Sequence, residues 1–144
     1  MKVNILFVTV MQLVFVGVIQ AQSLEDKIEW KKMDEEIQRS VDRVEKDCGA
    51  KIETSIDRAS FSSAPAEFKF NTWCDDGPDN IAYLCATVPE AKELVQKKIK
   101  KFTCSHGGKG KENISLKDGV FNYSVDYGGS NVRDRMQSVL KKGL

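Results

Sequence analysis

The stretch NISLKDGVFNYSVDY, residues 113–127, carries the clearest structural signal in this chain. Asp118-Gly119 between two alternating segments is a strong signal for a two-residue type I′ hairpin turn. Such a turn fixes the register, and the residues that it sets opposite each other on one face are apolar: Leu116 with Phe121 and Ile114 with Tyr123, with Val125 on the same side. Because turn chemistry and apolar pattern agree, the sequence predicts a β-hairpin with Leu116, Phe121 and Tyr123 in the core.

The segment before the hairpin allows two interpretations. TVPE at residues 87–90 has the spacing of a capping box and predicts the start of a helix. Periodicity alone lets this helix run through KIKKF, but alternation in KIKKFTCS also allows a strand. The longer helix would measure about 20 Å, and the cysteines beyond its two ends, Cys85 and Cys104, could not then approach the ~5.5 Å of a disulfide. If these two are partners, the chain forms a helix over 89–97 and a strand over 98–105.

The four cysteines are an even set without any CxxC pair. In an exported chain such a set favours disulfides over free thiols or a zinc site. The proposed reversal from helix to strand pairs Cys85 with Cys104, which leaves Cys48 with Cys74. We therefore predict a disulfide-stabilised domain with these two bonds.

The first 21 residues have the pattern of a secretory signal peptide, with Lys2, an apolar run and a small-residue exit at Ala21. The alternative is an uncleaved membrane anchor. Residues 22–144 are then one domain's worth of chain. Removal of the signal leaves 21 basic and 21 acidic side chains, because Lys2 is the only charged residue that is lost.

Helical periodicity predicts a long first helix over 24–47 and a last helix over 132–140. The first helix carries an apolar stripe that excludes Leu24 and Ile28, and Gly49 supplies its stop. Packing of this stripe on its own domain is favoured over partner binding. Three shorter elements are predicted between these helices: a strand over 51–61, a short strand over 67–71 and a helix over 78–85. Together the elements predict an α+β fold, in which helices pack on one face of a small antiparallel sheet of three or four strands.

Charge is unevenly distributed, and residues 90–111 hold seven lysines against two acids. The candidate anion-binding residues are Lys98, Lys100, Lys101, Lys109 and Lys111. Such a cluster can bind an anionic membrane surface, a polysaccharide or a nucleic acid. The favoured alternative is a solvated edge strand, where lysine prevents unwanted strand pairing. No nucleic-acid partner is expected, because aromatic residues are not interleaved with these lysines.

The stretch CSHGGKGK, residues 104–111, contains the chain's one histidine, His106, and is predicted to connect two strands. It lacks the spacing of a phosphate-binding loop, and a Cys104–His106 nucleophilic pair would require a reduced thiol. Calcium at the acidic cluster 75–80 is an alternative, but EF-hand spacing is absent and a helix cap explains the same residues. No Ser–His–Asp set or HExxH motif can be assembled. We therefore predict no catalytic residue, no metal site and no cofactor.

From residue 83 onward the motifs follow in the order YLCATVPEAKELVQKKIKKFTC, GGKGK, and SLKDG before an alternating strand. This order resembles that of small exported, cysteine-containing bacterial proteins of unknown function over roughly residues 48–142. The resemblance implies no activity, ligand or catalytic residue. We expect a secreted or periplasmic non-enzymatic domain, without a stable transmembrane anchor after cleavage, that binds a protein or a cell-envelope component. The alternatives are a secreted effector or toxin-like protein and a small secreted hydrolase.

Overall fold

The computed structural model describes residues 23–70, 73–127 and 129–144, so the predicted signal peptide lies outside the described residues. The helices are α1 (Leu24–Cys48), α2 (Asp76–Thr87), α3 (Ala91–Lys98) and α4 (Val132–Gly143), and the strands are β1 (Glu53–Ile56), β2 (Lys101–His106), β3 (Asn113–Lys117) and β4 (Val120–Val125). Two short 3-10 helices, Ser60–Ser63 and Ala66–Phe68, lie between β1 and α2. None of the helices among the described residues has the length and apolar character needed to cross a bilayer.

The four strands form one mixed sheet in the order β1-β2-β4-β3. β2 is parallel to both β1 and β4, and only β3 and β4 are antiparallel. The fold is therefore α+β as predicted, but the prediction of an antiparallel sheet is wrong. Two causes account for the difference. Helices α2 and α3 form the long crossover that parallel β1 and β2 require, and β4 lies between β2 and β3, so β2 does not pair with the strand that follows it in the chain.

The hairpin is confirmed in turn and register. Leu116 pairs with Phe121, as predicted, and both turn residues have the positive φ of a type I′ turn, 51° at Asp118 and 81° at Gly119. Phe121 is fully buried, as is Tyr123. Leu116 is only partly buried, because it lies on the edge strand β3.

The first helix also follows its prediction. Ser23 caps it by accepting a hydrogen bond from the Asp26 amide at 3.1 Å, and Gly49 ends it with a φ of 67°. The buried stripe consists of Trp30, Met33, Ile37, Ser40, Val44 and Cys48. Leu24 and Ile28 are exposed, as the stripe predicts. The stripe packs largely against α2, so it belongs to the core of the molecule.

The segment 51–71 differs from its prediction. β1 ends at Ile56, because Asp57 and Ser60 form local hydrogen bonds that start a 3-10 helix, including Ser60 Oγ to the Asp57 carbonyl oxygen at 2.6 Å. Such local bonds compete with strand pairing. The predicted strand around Phe68 is instead the second 3-10 helix. The prediction of a capping box at 87–90 is wrong as well. The Thr87 hydroxyl donates to the Tyr83 carbonyl oxygen of its own helix at 2.8 Å, so it does not cap the start of α3.

The cysteines pair differently from the prediction. The disulfides are Cys48–Cys85 and Cys74–Cys104, with Cα atoms 5.2 and 5.7 Å apart. The prediction of Cys85–Cys104 and Cys48–Cys74 is wrong, because it assumes that the reversal from helix to strand after Cys85 brings Cys104 back beside Cys85. Helix α2 instead separates Cys74 from Cys85 by about 16 Å at 1.5 Å per residue, so one end of α2 meets β2 and the other meets the end of α1. Two disulfides are typical of proteins in oxidising compartments.

Candidate binding groove at the carboxyl ends of the parallel strands

A groove of about 510 Å³ opens beyond the carboxyl ends of β2 and β4. The two strands end together, since His106 pairs with Val125. The groove is lined mainly by Ser63, Phe68, His106, Lys109, Asp126 and Tyr127. The crevice outside the carboxyl ends of parallel strands is the usual position of ligand sites in open α/β sheets, which makes this groove the first candidate for a functional site.

His106 is held on two sides by the first 3-10 helix. Its amide donates to Ser60 Oγ at 2.8 Å. Its ring nitrogen Nδ1 lies 3.3 Å from the Ser60 carbonyl oxygen and 3.2 Å from Ser63 Oγ. Because a carbonyl oxygen can only accept, we assign the proton of the neutral ring to Nδ1, which leaves Nε2 as an acceptor. His106 is thus the last residue of β2, and its prediction as part of the connecting loop is wrong.

An aromatic wall continues from the histidine ring. The Tyr127 ring lies 5.2 Å from that of His106 and stacks on Phe68 with centroids 4.4 Å apart. Trp73 packs against Tyr127 at 5.5 Å. The Tyr127 hydroxyl donates to the Phe68 carbonyl oxygen at 3.0 Å, and burial raises the pKa of Tyr127 to about 12. Stacking and this hydrogen bond fix the ring positions, so the wall is formed before any ligand binds.

The opposite side of the groove is the loop between β2 and β3. Gly108 and Gly110 have φ of 88° and 69°, so the expectation that these glycines supply positive φ is confirmed. The Gly110 amide donates to Asp126 Oδ2 at 2.7 Å. A Cβ atom on Gly107 would lie 2.4 Å from both the Lys111 carbonyl oxygen and a side-chain oxygen of β4, so only glycine fits there. The loop is therefore held in one conformation against β4.

The chemistry of this groove favours binding. Its polar groups are one ammonium at Lys109, one carboxylate at Asp126 and the imidazole. Ser63 Oγ contacts the imidazole but donates to the Ser60 carbonyl oxygen at 3.0 Å, whereas a nucleophilic serine must donate to its base. The Asp126 carboxylate is bound by the loop amide of Gly110. These contacts stabilise the walls of the groove and leave the aromatic faces and the Lys109 ammonium for a ligand.

The acidic cluster 75–80 lies at the start of α2 and contributes no lining residue to the groove. Asp79 forms an ion pair with Arg43, and Asn80 bonds to the Asp76 carbonyl oxygen at 2.7 Å. Burial raises the pKa of Asp76, and the neighbouring Asp75 adds to the rise. In the part of the chain that the structure describes, no group of three His, Cys, Asp or Glu side chains is placed to hold a metal ion.

The structure divides the five candidate lysines between two places. Lys109 and Lys111 lie in the loop beside the groove. The other three lie where α3 passes into β2: Lys98 ends α3, Lys100 is in the short link, and Lys101 begins β2. Lys101 and His106 are five residues apart on β2, a distance of about 16 Å at 3.3 Å per residue. β2 lies between β1 and β4, so protection of an edge strand does not explain the lysines at its start.

The chain matches no protein-family model, no curated protein and no solved structure. The resemblance to small exported bacterial proteins therefore stays a prediction. Sequence reasoning missed the aromatic wall, because it assigned Phe68 to a short strand over 67–71 and ended the preceding strand only at residue 61. The run SFSSAP at 60–65 is the signal that could have indicated it, since clustered serines before a proline favour local turns.

Proposed function

We propose that this protein is a secreted or periplasmic, disulfide-stabilised, non-enzymatic domain that binds a segment of a protein or a cell-envelope component in the groove at His106. The observation that carries the proposal is the aromatic wall, whose rings are fixed by stacking and by main-chain hydrogen bonds at the carboxyl ends of two parallel strands. A preformed concave site with ring faces and a few placed charges is the usual composition of a ligand pocket.

The Cys74–Cys104 bond supports a binding role for this groove. Cys104 precedes His106 by two residues on β2, and Cys74 follows Trp73 of the aromatic wall. The disulfide thus fixes the position of the aromatic wall relative to the end of β2 before any ligand binds. Preorganisation of this kind reduces the entropy that a site loses when a ligand binds.

Comparative capture tests the proposal. The chain without residues 1–21 is produced in an oxidising compartment and exposed to envelope and extracellular fractions of its native host. The groove variant is His106→Ala with Lys109→Ala, and the matched control is Lys46→Ala on the exposed side of α1. We expect a partner that the wild type and the control retain and the groove variant loses. A partner retained equally by all three folded proteins would contradict binding in this groove.

The alternative of a small secreted hydrolase has one observation in its favour, the contact between Ser63 Oγ and His106 Nδ1 at 3.2 Å. Ser63→Ala separates the two functions, because it removes the only atom on Ser63 that could attack a substrate and leaves the aromatic wall intact. The binding function predicts that Ser63→Ala retains the captured partner. Hydrolysis of ester or peptide substrates by the wild type that Ser63→Ala abolishes would establish the hydrolase instead.

A further inference from the structure

A second groove, of about 500 Å³, lies between α2 and α4 and is basic. Arg133, Lys141 and Lys142 of α4 line it, with Asp134 as the one acidic lining residue. Its other feature is Tyr83 of α2, a residue that is 51 % exposed. The Arg133 guanidinium lies over this ring, 5.9 Å from its centroid, an arrangement that presents a cation and an apolar ring face together.

Arg133 differs from the other arginines of the chain. The other four, Arg39, Arg43, Arg58 and Arg135, each form an ion pair with an acidic side chain. Within the described residues Arg133 has no acidic partner within 4 Å, and the same holds for the two lysines of the groove. None of these three cations is therefore held in an ion pair within the described residues, although the Arg133 charge partly offsets the rise in the pKa of the Asp76 carboxyl.

The basic groove continues to the lysines at the junction of α3 and β2. The Lys98 ammonium donates to the main-chain oxygen of Gly143 at 3.4 Å and to that of Leu144, which places it beside the end of α4. Lys100 packs near Gly119 in the hairpin turn, and Lys101 is next to it at the start of β2. We call the six cations Arg133, Lys141, Lys142, Lys98, Lys100 and Lys101 the basic surface.

We propose that the basic surface binds an acidic polysaccharide, with the chain along the groove between α2 and α4. Arg133 and Lys141 are eight residues apart on one helix, about 12 Å at 1.5 Å per residue, and Lys98 extends the row beyond the end of α4. A row of that length suits a linear polyanion rather than one small anion. The exposed ring of Tyr83 offers an apolar face to the C–H face of a sugar, a contact that a phospholipid headgroup layer does not need.

This site shares no residue with the His106 groove, so its test is independent of the proposed function. The probe is heparin, titrated between 50 and 200 mM NaCl against the chain without residues 1–21. The test variant is Arg133→Gln with Lys141→Gln, and the matched control is Lys27→Gln with Lys46→Gln, which removes the same charge from exposed sites on α1. We expect the test variant to bind heparin at least about tenfold more weakly. The slope of log affinity against log salt concentration should become shallower by roughly two, one for each side-chain charge that is removed. The control should bind as the wild type does.

Tyr83→Ala tests the sugar contact separately. We expect it to weaken heparin binding about five- to tenfold at every salt concentration without a change of slope, because it removes contact area and no charge. Wild-type affinity in Tyr83→Ala, or an equal loss in the Lys27/Lys46 control, would overturn the proposal. Vesicles of anionic phospholipid and double-stranded DNA are the competing probes. Tighter binding to either one than to heparin, with no effect of Tyr83→Ala, would also overturn it.

Discussion

The two disulfides provide the sharpest test of this structure, because they have similar loops and different positions. Cys48–Cys85 and Cys74–Cys104 join residues 37 and 30 positions apart. By the chain-entropy relation, removal of Cys48–Cys85 lowers the free energy of unfolding by about 3.8 kcal/mol, and removal of Cys74–Cys104 lowers it by about 3.6 kcal/mol. Replacement of either pair by serines should therefore lower the free energy of unfolding by nearly the same amount, as measured by urea denaturation.

The groove should respond to only one of these replacements. Cys74–Cys104 holds Trp73 and the end of β2, whereas Cys48–Cys85 joins the ends of α1 and α2. Serines at 74 and 104 should loosen the aromatic wall, so acrylamide should quench Trp73 fluorescence more strongly under native conditions. Trp30, the other tryptophan, is only 4 % exposed and supplies a constant background. Serines at 48 and 85 should leave quenching unchanged.

Three outcomes would refute this reasoning. A non-reducing peptide map that contains Cys85 linked to Cys104 would contradict the connectivity itself. A stability loss below about 1 kcal/mol for either double variant would contradict the entropy argument, since ordinary domains have only about 5–15 kcal/mol in total. Equal rises of quenching in both double variants would contradict the separate role of the bond beside the groove.

Three further predictions concern the core and the pH dependence of stability. Phe121→Ala should cost about 3–5 kcal/mol in urea denaturation because the ring is fully buried, and a cost below about 1 kcal/mol would contradict the hairpin register. Gly77→Ala should destabilise by about 1–3 kcal/mol, because the added Cβ would lie 2.1 Å from the Phe102 ring, and Phe102→Leu in the same chain should recover part of the loss. Burial raises the pKa of Tyr127 to about 12, so the unfolded chain loses the hydroxyl proton at a lower pH than the folded chain does. The free energy of unfolding should therefore fall as pH rises from about 10 to 12. Urea denaturation across that window should show a smaller fall for Tyr127→Phe, and an unchanged fall would exclude this tyrosine as a cause.

What could be predicted from the sequence is what depends on near neighbours in the chain. The hairpin lies within fifteen residues, and turn residues and alternation specify it without reference to the rest of the molecule. The long helix likewise follows from its own periodicity and from Gly49. The strand order depends instead on the position of β4 between β2 and β3. Nothing in the sequence of β2 or of β4 indicates that these two strands are neighbours.

The end of α3 illustrates a correct prediction with a wrong cause. The sequence argument ends this helix near Lys97 through an assumed Cys85–Cys104 bond, and the structure ends it at Lys98 without that bond. The actual cause lies in the sheet. The amides of Lys100 and Lys101 both donate to the Gly119 carbonyl oxygen, at 2.8 and 3.1 Å, so the hairpin turn holds the chain extended where helical periodicity would have continued.

The position of β2 connects the two proposed sites. This central strand begins at Lys101 in the basic surface and ends at His106 in the groove, about 16 Å away at 3.3 Å per residue, and its neighbours on both sides are hydrogen-bonded to it. A polysaccharide on the basic surface would therefore leave the His106 groove open at the opposite end of the strand. The two ligands should bind without competition, because neither site shares a residue with the other. With both proposed sites occupied in this way, the domain would be retained on an acidic glycan while its groove remains open to a second partner.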